Sequence, residues 1–178
     1  MASGRRTTSA LTTTPAPTSV ATSARGDGAG DQPQTPLLPD PSDPAFELRV
    51  QGLWQAIVDD VPDRGLGFFF PQAAYRQVKA ISDPDGDYQS RLVAAYRQDI
   101  HAAHQQLRAS AATFQGIDVP TGAAQWIRPG IESNKGPYWR VYGTKLHYTA
   151  AGQPGTVTVT SMISWRGQWF VVHLGAIR

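Results

Sequence analysis

The stretch from Tyr138 to Leu174 constrains the fold of this chain more than any other. It reads Tyr138-Trp139-Arg140-Val141-Tyr142, then Lys145-Leu146-His147-Tyr148, Val157-Thr158-Val159-Thr160 and Trp169-Phe170-Val171-Val172-His173-Leu174. Aromatic and β-branched residues crowd these runs, as a pleated and half-buried surface favours. Gly-bearing turns separate them at Ala151-Gly152-Gln153-Pro154-Gly155 and at Arg166-Gly167. The pattern predicts a continuous antiparallel meander.

Upstream the period changes from two to 3.6. Asp43 can cap a helix with Pro44 at its first position, where a missing N–H costs nothing. Phe46, Val50, Leu53, Trp54, Ile57 and Val61 then recur at helical spacing, and Pro62 ends the pattern. After a glycine-rich joint at Gly65 and Gly67, Pro71 opens a second, short helix with Ala74, Tyr75, Val78 and Ile81 inward. Asp83-Pro84-Asp85-Gly86 reads as a turn. A third and longest helix is expected from about Asp87, with Tyr88, Leu92, Tyr96, Ile100, Ala103 and Leu107 on one stripe. Gly116 to Gly122 reads as a connector, and Gln125-Trp126-Ile127-Arg128 as a short first strand closed by Pro129-Gly130. Three helices followed by about four strands indicate the α+β class rather than alternating α/β. There is no internal repeat.

Residues 1–43 are dominated by Thr, Ser, Ala, Pro and Gly and hold almost no core formers. They read as a disordered tail or spacer ahead of a single α+β domain over residues 44–178. Arg5-Arg6 is followed by Thr7-Thr8-Ser9-Ala10-Leu11-Thr12, which is no signal-peptide apolar core. Ser/Thr/Pro tracts often serve as spacers in exported or surface-tethered proteins. Export to the cell envelope, with a signal or lipid anchor upstream, and a cytoplasmic place are two equal alternatives. Arg25-Gly26-Asp27 matches an integrin tripeptide, which in such a tail reads as coincidence. No apolar run approaches the ~20 residues that a membrane span needs. The absence of cysteine excludes disulfides, thiolate metal sites and cysteine nucleophiles. Net charge is +2. After Ala111 six Lys/Arg (Arg128, Lys135, Arg140, Lys145, Arg166, Arg178) face only Asp118 and Glu132. Scattered in this way they read as a solvated face, so nucleic acid is not the expected partner.

Helices followed by a meander that ends in Ser164-Trp165-Arg166-Gly167-Gln168-Trp169 resemble the NTF2-like (cystatin-like cone) superfamily, many members of which finish with a W-x-G-x-W hairpin. The resemblance covers residues 44–178 in outline and about the last forty in sequence. The superfamily usually interleaves strands with its early helices, whereas no strand is read here before Gln125. The resemblance implies a cone in which helices and a curved sheet enclose a pocket, and often a dimer through the sheet. It implies no single function, since isomerases, dehydratases, cyclases, transport factors and accessory domains share the fold.

No Gly-rich phosphate loop, nucleophile elbow or zinc signature is present, and no cofactor is implied. His101 and His104, at i and i+3 on the third helix, have a spacing that can face one metal, but no third ligand is evident, so no metal site is assigned. His173 and His147 fall on strands. Either one opposite a helix carboxylate such as Asp99 makes a base and its orienter, the minimum for proton abstraction or dehydration. By alternation His173 shares a face with Trp169 and Val171, opposite Phe170, Val172 and Leu174. An isomerase site also needs a carboxylate in an apolar pocket, and in the sheet half Glu132 and Asp118 are both placed in loops.

The polar loop Arg128-Pro129-Gly130-Ile131-Glu132-Ser133-Asn134-Lys135-Gly136 joins two strands, where binding groups tend to sit. Arg128, Glu132, Asn134, Trp139, Arg140 and Tyr142 are therefore the candidate ligand-binding residues. The sequence favours a non-catalytic ligand- or partner-binding module. The alternative is a cofactor-free isomerase, dehydratase or cyclase. Both faces of the last strands are apolar, and a sheet covered on one side only should show a polar second face. The polar tail covers such a face poorly, so a homodimer through the sheet is expected.

Overall fold

Asp43 caps the first helix in the computed structural model, which describes residue 1, residues 33–107 and residues 111–177. Its carboxylate accepts from the Ala45 N–H at 2.8 Å, and Pro44 opens helix α1 (Pro44–Asp59). Phe46, Val50, Leu53, Trp54 and Ile57 are all buried, whereas Val61, beyond the helix, is exposed. A 3-10 turn over Pro62–Phe68 leads to α2 (Gln72–Val78). Ala74, Tyr75 and Val78 point inward as the spacing predicts, and Ile81 lies outside the helix and exposed.

The third helix starts earlier than the sequence reading places it. Asp83 accepts from the Gly86 N–H at 2.8 Å and Pro84 takes the first position. Asp83-Pro84 thus repeats the cap of α1 instead of forming a turn. The helix runs as α3 (Pro84–Asp87), a π turn (Tyr88–Val93) and α4 (Ala94–Gln106). Every residue of its expected stripe is buried, and Val93 joins them. The wider i→i+5 turn adds one residue, which places Leu92 and Val93 together on the inner side. Among the described residues there are thus four α-helical segments, of which α3 and α4 are joined end to end by the π turn. None is long and apolar enough to cross a membrane.

Among the described residues the sheet has five strands, all antiparallel: β1 (Ala112–Asp118), β2 (Gln125–Ile127), β3 (Tyr138–Ala150), β4 (Gln153–Trp165) and β5 (Gln168–His173). The order is β1-β3-β4-β5, with β2 also paired to β3. Strand β1 covers residues 112–115, for which no element was expected, and the first three residues of the connector expected over 116–122. Its local pattern is interrupted by Gly116, at which the register against β3 shifts. The pairing from Ala112↔Ala150 to Asp118↔Lys145 holds it in place. Strand β3 is continuous through Gly143 rather than two runs. Both hairpins turn on two residues of positive φ, Ala151-Gly152 and Arg166-Gly167. Turns of that kind follow the right-handed strand twist.

Buried apolar residues form a core cluster that lies mostly between the helices and one face of the sheet. The Trp54 ring meets Phe114 at 5.5 Å and Tyr148 at 5.8 Å, and Phe70 meets Trp165 and Phe170 at 6.1 Å. The back face carries exposed Lys145 and His147 toward the β3–β4 turn, but buried Met162, Val171 and Trp169 toward the other end. Residues of the expected spacer lie against that apolar end. The indole N–H of Trp169 donates to the Pro39 carbonyl at 3.2 Å, and that of Trp139 to Pro36 at 2.9 Å. Gln34 donates to the Ser164 carbonyl at 2.8 Å and accepts from the Arg166 N–H at 2.5 Å. Backbone carbonyls of this Pro-containing stretch thus satisfy the indoles of two tryptophans. Residues 2–32, which include Arg25-Gly26-Asp27, lie outside the described residues.

Candidate functional site

A cavity of about 360 Å³ lies between α2, the π turn and the helix-side face of β3, β4 and β5. Phe70, Val78, Leu92, Ile163 and Val172 give it an apolar wall. Exposed Tyr142 and Ile177 stand at its mouth. Arg91 and Leu92 reach it from the π turn, a distortion that costs helix regularity and recurs at functional sites.

His173 enters this cavity through a β-bulge. Ser161 pairs with His173 and Ile163 with Phe170, with a register shift between Ser161 and Met162. Ser161 and Ile163 lie two apart on β4 and share a face, so His173 and Phe170 share it too. Simple alternation had put those two residues on opposite faces. The imidazole Nδ1 stands 2.8 Å from Ser161 Oγ, and Nε2 is buried without a hydrogen-bond partner among the described residues. Burial, aided by the nearby Arg91 and Lys79 charges and opposed by Asp99, lowers the proton affinity of the ring. The neutral imidazole is the favoured form. A nucleophilic serine–histidine pair has the base's far nitrogen held by a third group, and Nε2 meets no such group among the described residues.

The polar rim is a network of paired charges. Glu132 forms an ion pair with Arg140 and accepts from the Tyr138 hydroxyl at 2.7 Å. Burial pushes that phenol up to about 12. Arg140 also donates to Gln125 at 2.7 Å, lies 4.5 Å from the Tyr142 ring, and keeps its buried Nε unpartnered. Across the cavity Arg91 grips Asp87 at 2.6 and 2.8 Å and donates to Tyr75 at 3.0 Å, while the Tyr75 hydroxyl donates to Asp87. Lys79 approaches the Glu132 carbonyl at 3.4 Å, and burial first, then Arg91, lowers its proton affinity. Lys135 N–H to Val78 at 2.7 Å and Ala80 N–H to Ser133 at 2.8 Å tie the 128–137 loop to the end of α2. This tie brings Glu132 to the cavity.

Of the residues singled out by sequence, His173, Glu132, Arg140 and Tyr142 meet at the cavity. The others are elsewhere. Asn134 is buried as a scaffold of its loop, bonded to Arg128, Gly136 and Glu132 backbone atoms, while the Arg128 side chain is exposed. Trp139 lies on the back face against Trp126, at 5.4 Å, and His147 is exposed on that face. Asp99 accepts from the Gly175 N–H at 2.8 Å and lines a second hollow, of about 380 Å³, with Gln106, Thr156, Thr158 and Thr160. It does not orient His173, whose Nδ1 is engaged by Ser161. His101 pairs with Asp60 at 2.7 Å, and His104 donates to the Ile57 carbonyl at 2.9 Å. Among the described residues no three metal-ligating side chains converge.

Sequence reasoning missed Ser161, Lys79, Tyr75 and Arg91. Asp87 and Arg91 stand four apart in a helix, a spacing that signals a pair. Nothing local marks the other three. Comparison of the chain with protein-family models, with curated proteins and with solved structures returns no match.

Proposed function

We propose that this chain is a non-catalytic binding module of NTF2-like (cystatin-like cone) type, which takes a small and largely apolar molecule into the cavity beside His173. The carrying observation is the buried and unpartnered His173 Nε2 in the wall of that cavity. A buried polar atom without a partner costs on the order of 1–3 kcal/mol, which a bound ligand can offset. The volume falls in the range of small-molecule sites, and an apolar wall with few polar groups is their common form. Helices over one face of an antiparallel meander support the cone reading. Against catalysis stands the state of the carboxylates: Glu132 is paired with Arg140 and Asp87 with Arg91. Each carboxylate is already engaged by a guanidinium.

The runner-up is a cofactor-free isomerase, dehydratase or cyclase in the same cavity, favoured by the neutral imidazole. Long-range proton–nitrogen NMR of the His173 ring, during titration with indole, 1-octanol and octanoate, tests the binding reading. A saturable shift of Nε2 with at least one probe is expected. An unmoved ring with all three would reject it.

A further inference from the structure

We infer that the cavity selects a monoanion, a small carboxylate with an apolar body, held between Arg140, His173 and Lys79. This inference rests on the binding reading above and adds the charge of the ligand. Two buried nitrogens among the lining residues have no partner, Arg140 Nε and His173 Nε2. The arginine Nε–H is a donor at every accessible pH, and no acceptor role is open to it. The imidazole Nε2 carries a hydrogen when Ser161 donates to Nδ1, and also when the ring is protonated. With Ser161 as the donor to Nδ1, a ligand that answers both nitrogens offers acceptors, and a carboxylate offers two oxygens with about four lone-pair sites.

Charge separates an anion from a neutral carbonyl compound. Among the described residues three cations line the cavity, Lys79, Arg91 and Arg140. Arg140 is answered by Glu132 and Arg91 by Asp87. Lys79 has no carboxylate within ion-pair distance among the described residues, and its ammonium reaches only the Glu132 carbonyl, at 3.4 Å, and the edge of range of the Tyr75 ring, at 6.0 Å. One surplus positive charge, half sunk in the protein, matches one negative charge rather than a phosphate dianion. Phe70, Val78, Leu92, Ile163 and Val172 leave the rest of the volume apolar.

Isothermal titration of the full chain with octanoate, 1-octanol and octylamine reads the inference directly. Octanoate is expected to bind about tenfold more tightly than 1-octanol, with octylamine weakest. In Lys79→Met the preference for octanoate should fall to about twofold or less while 1-octanol binds as before. Arg140→Lys, which keeps the charge facing Glu132 but removes Nε, should weaken octanoate alone. Equal binding of octanoate and 1-octanol overturns the anion and leaves the cavity reading standing. No binding of any of the three overturns both. An octanoate preference untouched in both variants overturns the assignment to these residues.

Discussion

At the scale of single residues, His173 and Trp169 carry the consequences most open to measurement. The folded state lowers the proton affinity of His173, whereas the unfolded chain titrates near the ordinary imidazole value of about 6.5. Below that value the unfolded state therefore binds more protons than the folded state, and stability rises with pH. The contribution is complete above about pH 6.5 and is lost as pH falls toward the folded-state value. Denaturation midpoints between pH 5 and 7 should show this slope, and His173→Gln should flatten it. A slope unchanged in the variant would assign it to another group. Trp169 is fully buried and its indole N–H is bonded to Pro39. Trp169→Ala should cost roughly 3–5 kcal/mol in urea denaturation. A loss under about 1 kcal/mol would place the ring at the surface.

At the scale of elements, residues 34–39 behave as a strap on the back of the sheet. Gln34 is its main fastening, with bonds to Ser164, Arg166 and Thr35 backbone atoms. Gln34→Ala leaves a carbonyl and amides in a partly buried place without their partner. The expected cost is about 1–3 kcal/mol, together with a red shift of tryptophan emission as Trp139 and Trp169 meet water. A variant with unchanged stability and emission would show that the strap contributes nothing to the fold. The β4–β5 hairpin that the strap covers depends on local chemistry instead, since Arg166 and Gly167 both take positive φ.

For the whole molecule, the question raised by two apolar sheet faces is what covers the second. The strap is bonded to Trp169 and Trp139 at the end where Met162 and Val171 are buried, and the other end carries exposed Lys145, His147 and Thr158. With that covering supplied by the same chain, a second copy is not required for it. Sedimentation velocity at micromolar concentration should give one chain's mass. A dimer that survives dilution would make the rest of the back face an interface after all.

Sequence alone determined the features whose causes are local. Asp43-Pro44 sets the start of α1, because a cap and a fixed φ act within three residues. The apolar stripe from Tyr88 to Leu107 is legible because helical geometry returns the same face every few residues. The meander and its Arg166-Gly167 turn follow from β-branched and aromatic runs broken where φ must be positive. Tertiary structure decided the rest. Ala112–Asp118 becomes a strand through the edge that β3 offers, since Gly116 breaks any pattern of its own. One extra residue in β5 moves His173 to the cavity face, and a bulge of that kind depends on the partner strand's register. Lys79, Arg91, Arg140 and His173 come from separate elements far apart in the chain. No periodicity links such residues, because their meeting is fixed by how helices and sheet pack, which is a property of the folded chain as a whole.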